Sequence, residues 1–231
     1  IDPHLYKPTR ADVLKLSKAD MIFYNGLLLE GKMADVLGTL SARKPVTAVA
    51  GVLADNVLLP GGTAGHHDPH VWMDVDLWSK GLSVVVDALA RVLPDERAVF
   101  TSHAEAFRAE LASLDAYVRE VVSSIPPSSR VLITAHDAFG YFGRAYGVEV
   151  LGIQGISTES EAGLNDINRL VDLLVRRNVR AIFVETSVAD KNVRALIEGA
   201  RARGHDVVIG GSLFSDAMGA PGSYEGTYVR M

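Results

Sequence analysis

The chain has 231 residues, 48% of them hydrophobic, and a formal net charge of −5. That is apolar material enough for a substantial core in one large or two small domains, while the acidic balance and the lack of a basic stripe exclude a broad nucleic-acid surface. The absence of cysteine removes disulfides, thiolate zinc sites and iron–sulfur ligation together, and no apolar run reaches the roughly 18 residues of a membrane span.

The chain opens on IDPHLYKPTR, inside what reads as a motif, so further sequence is expected upstream. Neither a signal peptide nor a lipid-attachment cysteine is visible. Residues 9–19 (TRADVLKLSKA) predict a short helix with Thr9 as its N-cap. MIFYN at 21–25, closed by Asn-Gly, and PVTAVA at 45–50 predict strands. Residues 51–70 read as loop, with LPGGTAG supplying the breakers. From Asp74 to Leu93 the spacing of Leu77, Leu82, Val85, Val86, Leu89 and Val92 predicts one amphipathic helix.

Residues 95–124 contain neither Gly nor Pro, and their apolar residues recur at helical spacings. One helix of that length runs about 45 Å, enough for a strut between two lobes, and Pro126-Pro127 ends it. Beyond it the pattern alternates. RVLITA (130–135), VEVLGI (148–153), RAIFVE (180–185) and HDVVIG (205–210) predict strands. Helices are predicted from Asp137 to Tyr146 and near 163–177 and 190–202. Apolar strands separated by helices argue for a parallel sheet covered on both faces. The expected fold class is α/β: two lobes with helix-covered parallel sheets and a long linking helix. The expected divisions are 1–94 (a lobe lacking its start), 95–124 (the linking helix) and 125–231 (a lobe lacking its final helix).

The tripeptide Asp-Pro-His occurs twice, at 2–4 and 68–70. Proline fixes its own φ and restricts the preceding aspartate to extended geometry, so each histidine leaves a stiff turn in a defined direction. Of the seven histidines, His103 reads as a helix surface residue, His205 as a turn residue, and His66 and His67 as members of a Gly-rich loop. His136 directly follows the apolar strand VLITA, where ligands of open parallel sheets bind. His70 ends a loop just before a helix. Each alone could be a helix-entry histidine; with His4 they make three loop imidazoles aimed at one crevice. Asp216, shortly after DVVIG, is either an ordinary loop or capping aspartate or a fourth ligand. Three neutral imidazoles and one carboxylate suit a divalent transition ion, zinc tetrahedrally and manganese at higher coordination. Asp2, Asp68 or Glu185 could orient the imidazoles from behind.

The segments DPHLY, NGLLLE, DPHVWMD, TAHDAFGYF, GIQGISTESEAG, IFVETS, ARGHDV and GGSLFSDAMG, in this order, closely resemble the TroA-like family, the solute-binding subunits of bacterial zinc and manganese ABC importers. The resemblance implies two α/β lobes joined by a long rigid helix, with Zn2+ or Mn2+ held between them as a transported ligand. It places the metal ligands on His4, His70, His136 and Asp216. Histidine at the third position, rather than Glu, matches the TroA branch. The chain departs from the family pattern in lacking the strand–helix–strand before the first DPH, in stopping at GTYVRM, and in reducing the His-rich acidic loop to GGTAGHHDPH.

The expected function is capture of a divalent metal outside the cytoplasmic membrane and its delivery to the membrane permease of an ABC importer. The protein is expected to act as a monomer in the periplasm or another extracytoplasmic space, attached to the membrane through upstream residues where these exist. A metallohydrolase is the rival reading, since a site of three histidines and one carboxylate can also activate water; Glu159 and Glu185 are its only nominees for acid–base work. An adhesion role has no sequence feature of its own.

Overall fold

The computed structural model describes residues 2–231. They form two compact units, residues 3–117 and Asp2 with residues 118–231, and the division falls within one long helix.

The first unit holds α1 (Arg10–Lys18), β1 (Ile22–Tyr24), α2 (Met33–Ser41), β2 (Val46–Ala48), α3 (Val75–Ser79), α4 (Gly81–Val92) and most of α5 (Arg97–Ser123). Thr9 starts α1 with a reciprocal capping box: its side chain accepts from the Asp12 N–H, and the Asp12 carboxylate accepts from the Thr9 N–H. β1 and β2 pair in parallel, Ile22 opposite Val46 and Tyr24 opposite Ala48. Ile22, Leu37 and Leu40 form one buried cluster, with Leu16, Met33 and Val46 packed against it. The sequence reading missed α2, which nevertheless supplies two of those three residues.

The single helix expected from Asp74 to Leu93 is two. Asp74 caps α3 by accepting from the Leu77 N–H. A second helix then starts at Gly81, whose missing side chain makes room for Val49. Residues 51–70 are loop with short 3-10 turns and one isolated bridge, Pro60 to His67. After β1 the backbone is unusual. Gly26, Leu27 and Leu28 have φ of +91°, +56° and +66° in succession, and left-handed geometry costs a leucine about 1–2 kcal/mol.

The second unit holds β3 (Val131–His136), α6 (Gly140–Tyr146), β4 (Glu149–Gln154), α7 (Leu164–Arg177), β5 (Ala181–Glu185), α8 (Lys191–Ala202) and β6 (Val208–Leu213). β3 pairs in parallel with β4, β5 with β6, and β3 lies beside β5. Ile133, Leu174, Ile182, Val193 and Leu196 are fully excluded from water and join the buried stripes of α7 and α8 to the strands. Both units are therefore α/β with parallel strand pairs, and α5 is the long helix read from residues 95–124.

Two boundaries in this unit moved. α6 begins at Gly140, and the Asp137 backbone before it sits where a side chain on Gly152 would be. β6 starts three residues later than HDVVIG suggested. His205 still belongs to the exit from α8, its N–H donating to the Ala200 carbonyl and its ring Nε2 lying 2.7 Å from the Val179 carbonyl oxygen. Gly210, read as the end of the strand, and Gly211 lie within β6, where the Phe183 ring occupies the space a side chain on Gly210 would need.

Candidate metal centre

Within the first unit the site is a pair of imidazoles. His70 is fully buried, and its orientation is set two residues upstream. Asp68 Oδ1 accepts both the His70 backbone N–H, at 2.9 Å, and the ring Nδ1–H, at 2.7 Å. Pro69 between them has no N–H to compete and keeps Asp68 extended. With Nδ1 committed as donor, a neutral His70 presents the lone pair of Nε2 as a ligand. The edge of Trp72 packs against the ring, centroids 5.2 Å apart. His4, 6% exposed, brings its own Nε2 to 3.2 Å from that of His70. Two nitrogens on one tetrahedral zinc at about 2.05 Å are separated by about 3.3 Å, so the pair already stands at ligand spacing.

Within the second unit the site is built at the carboxyl ends of parallel strands, where open α/β sheets bind ligands. His136 is the last residue of β3 and Glu185 the last of β5. Both are buried. Glu185 Oε1 accepts the His136 backbone N–H at 2.8 Å, and Oε2 meets the ring Nδ1 at 2.5 Å. The Nε2 edge faces Asp216 Oδ2 at 3.3 Å, and both side chains are shielded from water. Ser187 Oγ donates to the same Asp216 oxygen at 3.3 Å and lies 2.8 Å from the hydroxyl of Ser215. Burial opposes a charge on His136, but the hydrogen bonds and charges of Asp216 and Glu185 outweigh it, and the imidazole is pushed up to about 10. In the metal-free protein a proton therefore stands between two carboxylates, in a place suited to a cation.

Of the three carboxylates nominated as orienting groups, Asp68 and Glu185 each fix one imidazole, and Asp2 accepts from the Thr158 hydroxyl. Glu159 is exposed. His66 and His103 are exposed too, and His67 sits in the Pro60 bridge 3.7 Å from Asp55. The sequence reading did not find Ser187 and Ser215. A serine beside a strand end carries no distinguishing signal, although ETS ends β5 as HD ends β3.

Carboxylate-backed imidazoles at metal-ligand spacing, set on parallel α/β units with a long helix, define a metal-binding protein of the solute-capture type rather than a nucleotide or sugar binder. A family model described as "Zinc-uptake complex component A periplasmic" matches residues 1–231, and the chain belongs to that family. It is 49% identical over 231 residues to the zinc-binding protein TroA of Treponema pallidum, covering all of this chain and 75% of that protein. Identity to the manganese-binding lipoprotein MntA of Bacillus subtilis (strain 168) is 46%, over the whole chain and 76% of the relative. The solved structure of the periplasmic zinc-binding protein TroA from T. pallidum superposes with a TM-score of 0.97, covering all of this chain and 83% of that one.

Proposed function

We propose that His4, His70, His136 and Asp216 together bind one divalent transition-metal ion, zinc or manganese, which the protein captures outside the cytoplasmic membrane and passes to the permease of an ABC importer. The observation that carries this reading is the paired arrangement Asp68–His70 and Glu185–His136. In each, a buried carboxylate fixes the ring through Nδ1 and leaves Nε2 for a ligand, the usual support of a metal-bound histidine. His4 with His70, or His136 with Asp216, is half a tetrahedral shell; three imidazoles and a carboxylate complete one of net charge −1. Family membership and the zinc- and manganese-binding relatives support the same cargo. Zinc binds such a set more tightly than manganese on intrinsic affinity, so the transported ion follows availability.

The protein is a carrier and not an enzyme. Glu185, the best-placed nominee for a general base, has both oxygens engaged by His136, and Glu159 is exposed. In this reading one chain supplies the whole shell, and the protein acts as a monomer. Calorimetric titration of the chelated protein with zinc and then manganese tests the reading: one tight site per chain, lost in His136→Ala, is expected. Absence of binding in the parent, or full binding in the variant, refutes the ligand set, and metal-dependent ester or phosphate turnover would restore the hydrolase.

A further inference from the structure

The NGLLLE segment takes no part in ligation, yet within the first unit it and the following Gly31 approach the backbone of both Asp-Pro-His motifs. Asn25 donates through Nδ2 to the carbonyl of Pro69, the residue before His70, at 3.1 Å. At the other end of the turn, Gly31 (φ +47°) lies so close to His4 that a side chain there would overlap the His4 carbonyl oxygen. Between these contacts run the three left-handed residues, 26–28. Leu28 remains 56% exposed, so burial of its side chain does not compensate for its backbone geometry. Something else must hold the turn, and Glu30 does so. Its Oε1 accepts the Asn25 N–H at 2.6 Å, and the carboxylate also accepts the Gly26 N–H at 3.3 Å. Backbone bonds from Leu29 to Gly26 and from Gly31 to Leu28 complete it. A strained backbone kept in place by a dedicated carboxylate is the form in which proteins preorganise a site.

We propose that the 25–31 turn is a positioning element for metal capture, setting the His4–His70 spacing through Gly31 and Asn25, with Glu30 as the residue that fastens it. The inference rests on the reading that His4 and His70 share an ion. If the turn only stabilised the fold, affinity and stability would fall together. If it positions the ligands, the two come apart at Leu28, where glycine accepts φ +66° without strain but no longer stiffens the turn.

The experiment compares the parent with Leu28→Gly, Glu30→Ala and Glu30→Gln in three measurements: melting of the metal-free protein, zinc and manganese titration well below the melting temperature, and NMR shifts of the His4 and His70 rings without metal. Leu28→Gly is expected to melt no lower than the parent yet bind several-fold more weakly, with both ring signals moved. Glu30→Ala is expected to lose about ten-fold in affinity, and Glu30→Gln, which keeps an acceptor at Oε1, to recover most of it. Parent-like affinity in Leu28→Gly and Glu30→Ala overturns the proposal. A parent that binds neither ion defeats the site reading instead; the ring shifts then decide, and unchanged signals in Glu30→Ala overturn the positioning role as well.

Discussion

Replacing Glu185 by Gln removes one charge and one acceptor from behind His136 and leaves the shape of the site nearly intact. Glu185 presently accepts two N–H groups from the same residue, backbone and ring. Glutamine has a single carbonyl oxygen for both, so one of these bonds must face an amide donor. A buried hydrogen bond to a charged group contributes about 1.5–3 kcal/mol, and loss of such a partner behind a metal ligand costs about 10–100-fold in affinity. A second effect opposes this one. The parent His136 is held up at about 10, so at neutral pH the ion must displace a proton that Glu185 helps to retain. Without Glu185 that proton is held more weakly, and the ring titrates nearer the ordinary histidine value of about 6.5. The affinity deficit of Glu185→Gln should therefore be small or reversed near pH 6.5, where the parent proton is hardest to displace. It should grow toward pH 8.5, where the parent gives up its proton more readily and the variant has none left to lose. Competition against a chromophoric chelator at several pH values measures it. A deficit that stays constant with pH would refute the argument, because it would mean that Glu185 does not govern the proton on His136.

Other changes have simpler expectations. Asp68→Asn keeps the Oδ1 acceptor but loses its charge, and should weaken zinc binding about ten-fold, as read by the same competition. The charge on metal-free His136 has a raised folded-state pKa, so it stabilises the fold fully below about pH 6.5, and that contribution is lost as pH rises through about 10; the metal-free melting temperature should fall over this window, and the fall should be absent in His136→Ala. Saturating the site at a thousand times its dissociation constant adds about 4 kcal/mol, which for a chain of this size raises the melting temperature by roughly 8–16 °C, and chelation should reverse the rise in full. Thr9→Ala removes the capping box of α1 and should cost about 1 kcal/mol of stability in denaturant unfolding without altering metal affinity.

The sequence shows best those elements whose stabilisation is regular along the chain. α7 and α8 bury one stripe each against β3, β4 and β5, which are short apolar runs, so period and run length betray them. α2 was missed because only Leu37 and Leu40 are buried in nine residues, Gly38 and Thr39 dilute its propensity, and Lys32 gives no side-chain cap. The Asp74–Leu93 segment read as one helix because its apolar spacing continues through Lys80; the break follows from the approach of Val49 to Gly81, a tertiary contact that spacing does not encode.

The site divides along the same line. Proline next to each of His4 and His70, and a strand running into His136, are local features, and they marked three of the four proposed ligands. Partnership is not local. Asp68 stands two residues from His70, but Glu185 lies 49 residues from His136 and reaches it because β3 and β5 lie side by side. Ser187 and Ser215 are 28 residues apart and meet through the β5–β6 pairing. Chain-local rules can therefore nominate the atoms that would touch an ion, while the groups that aim those atoms are set by strand order. Affinity depends on both, which is why Glu185→Gln, a change outside the proposed shell, is the sharper test of how this site works.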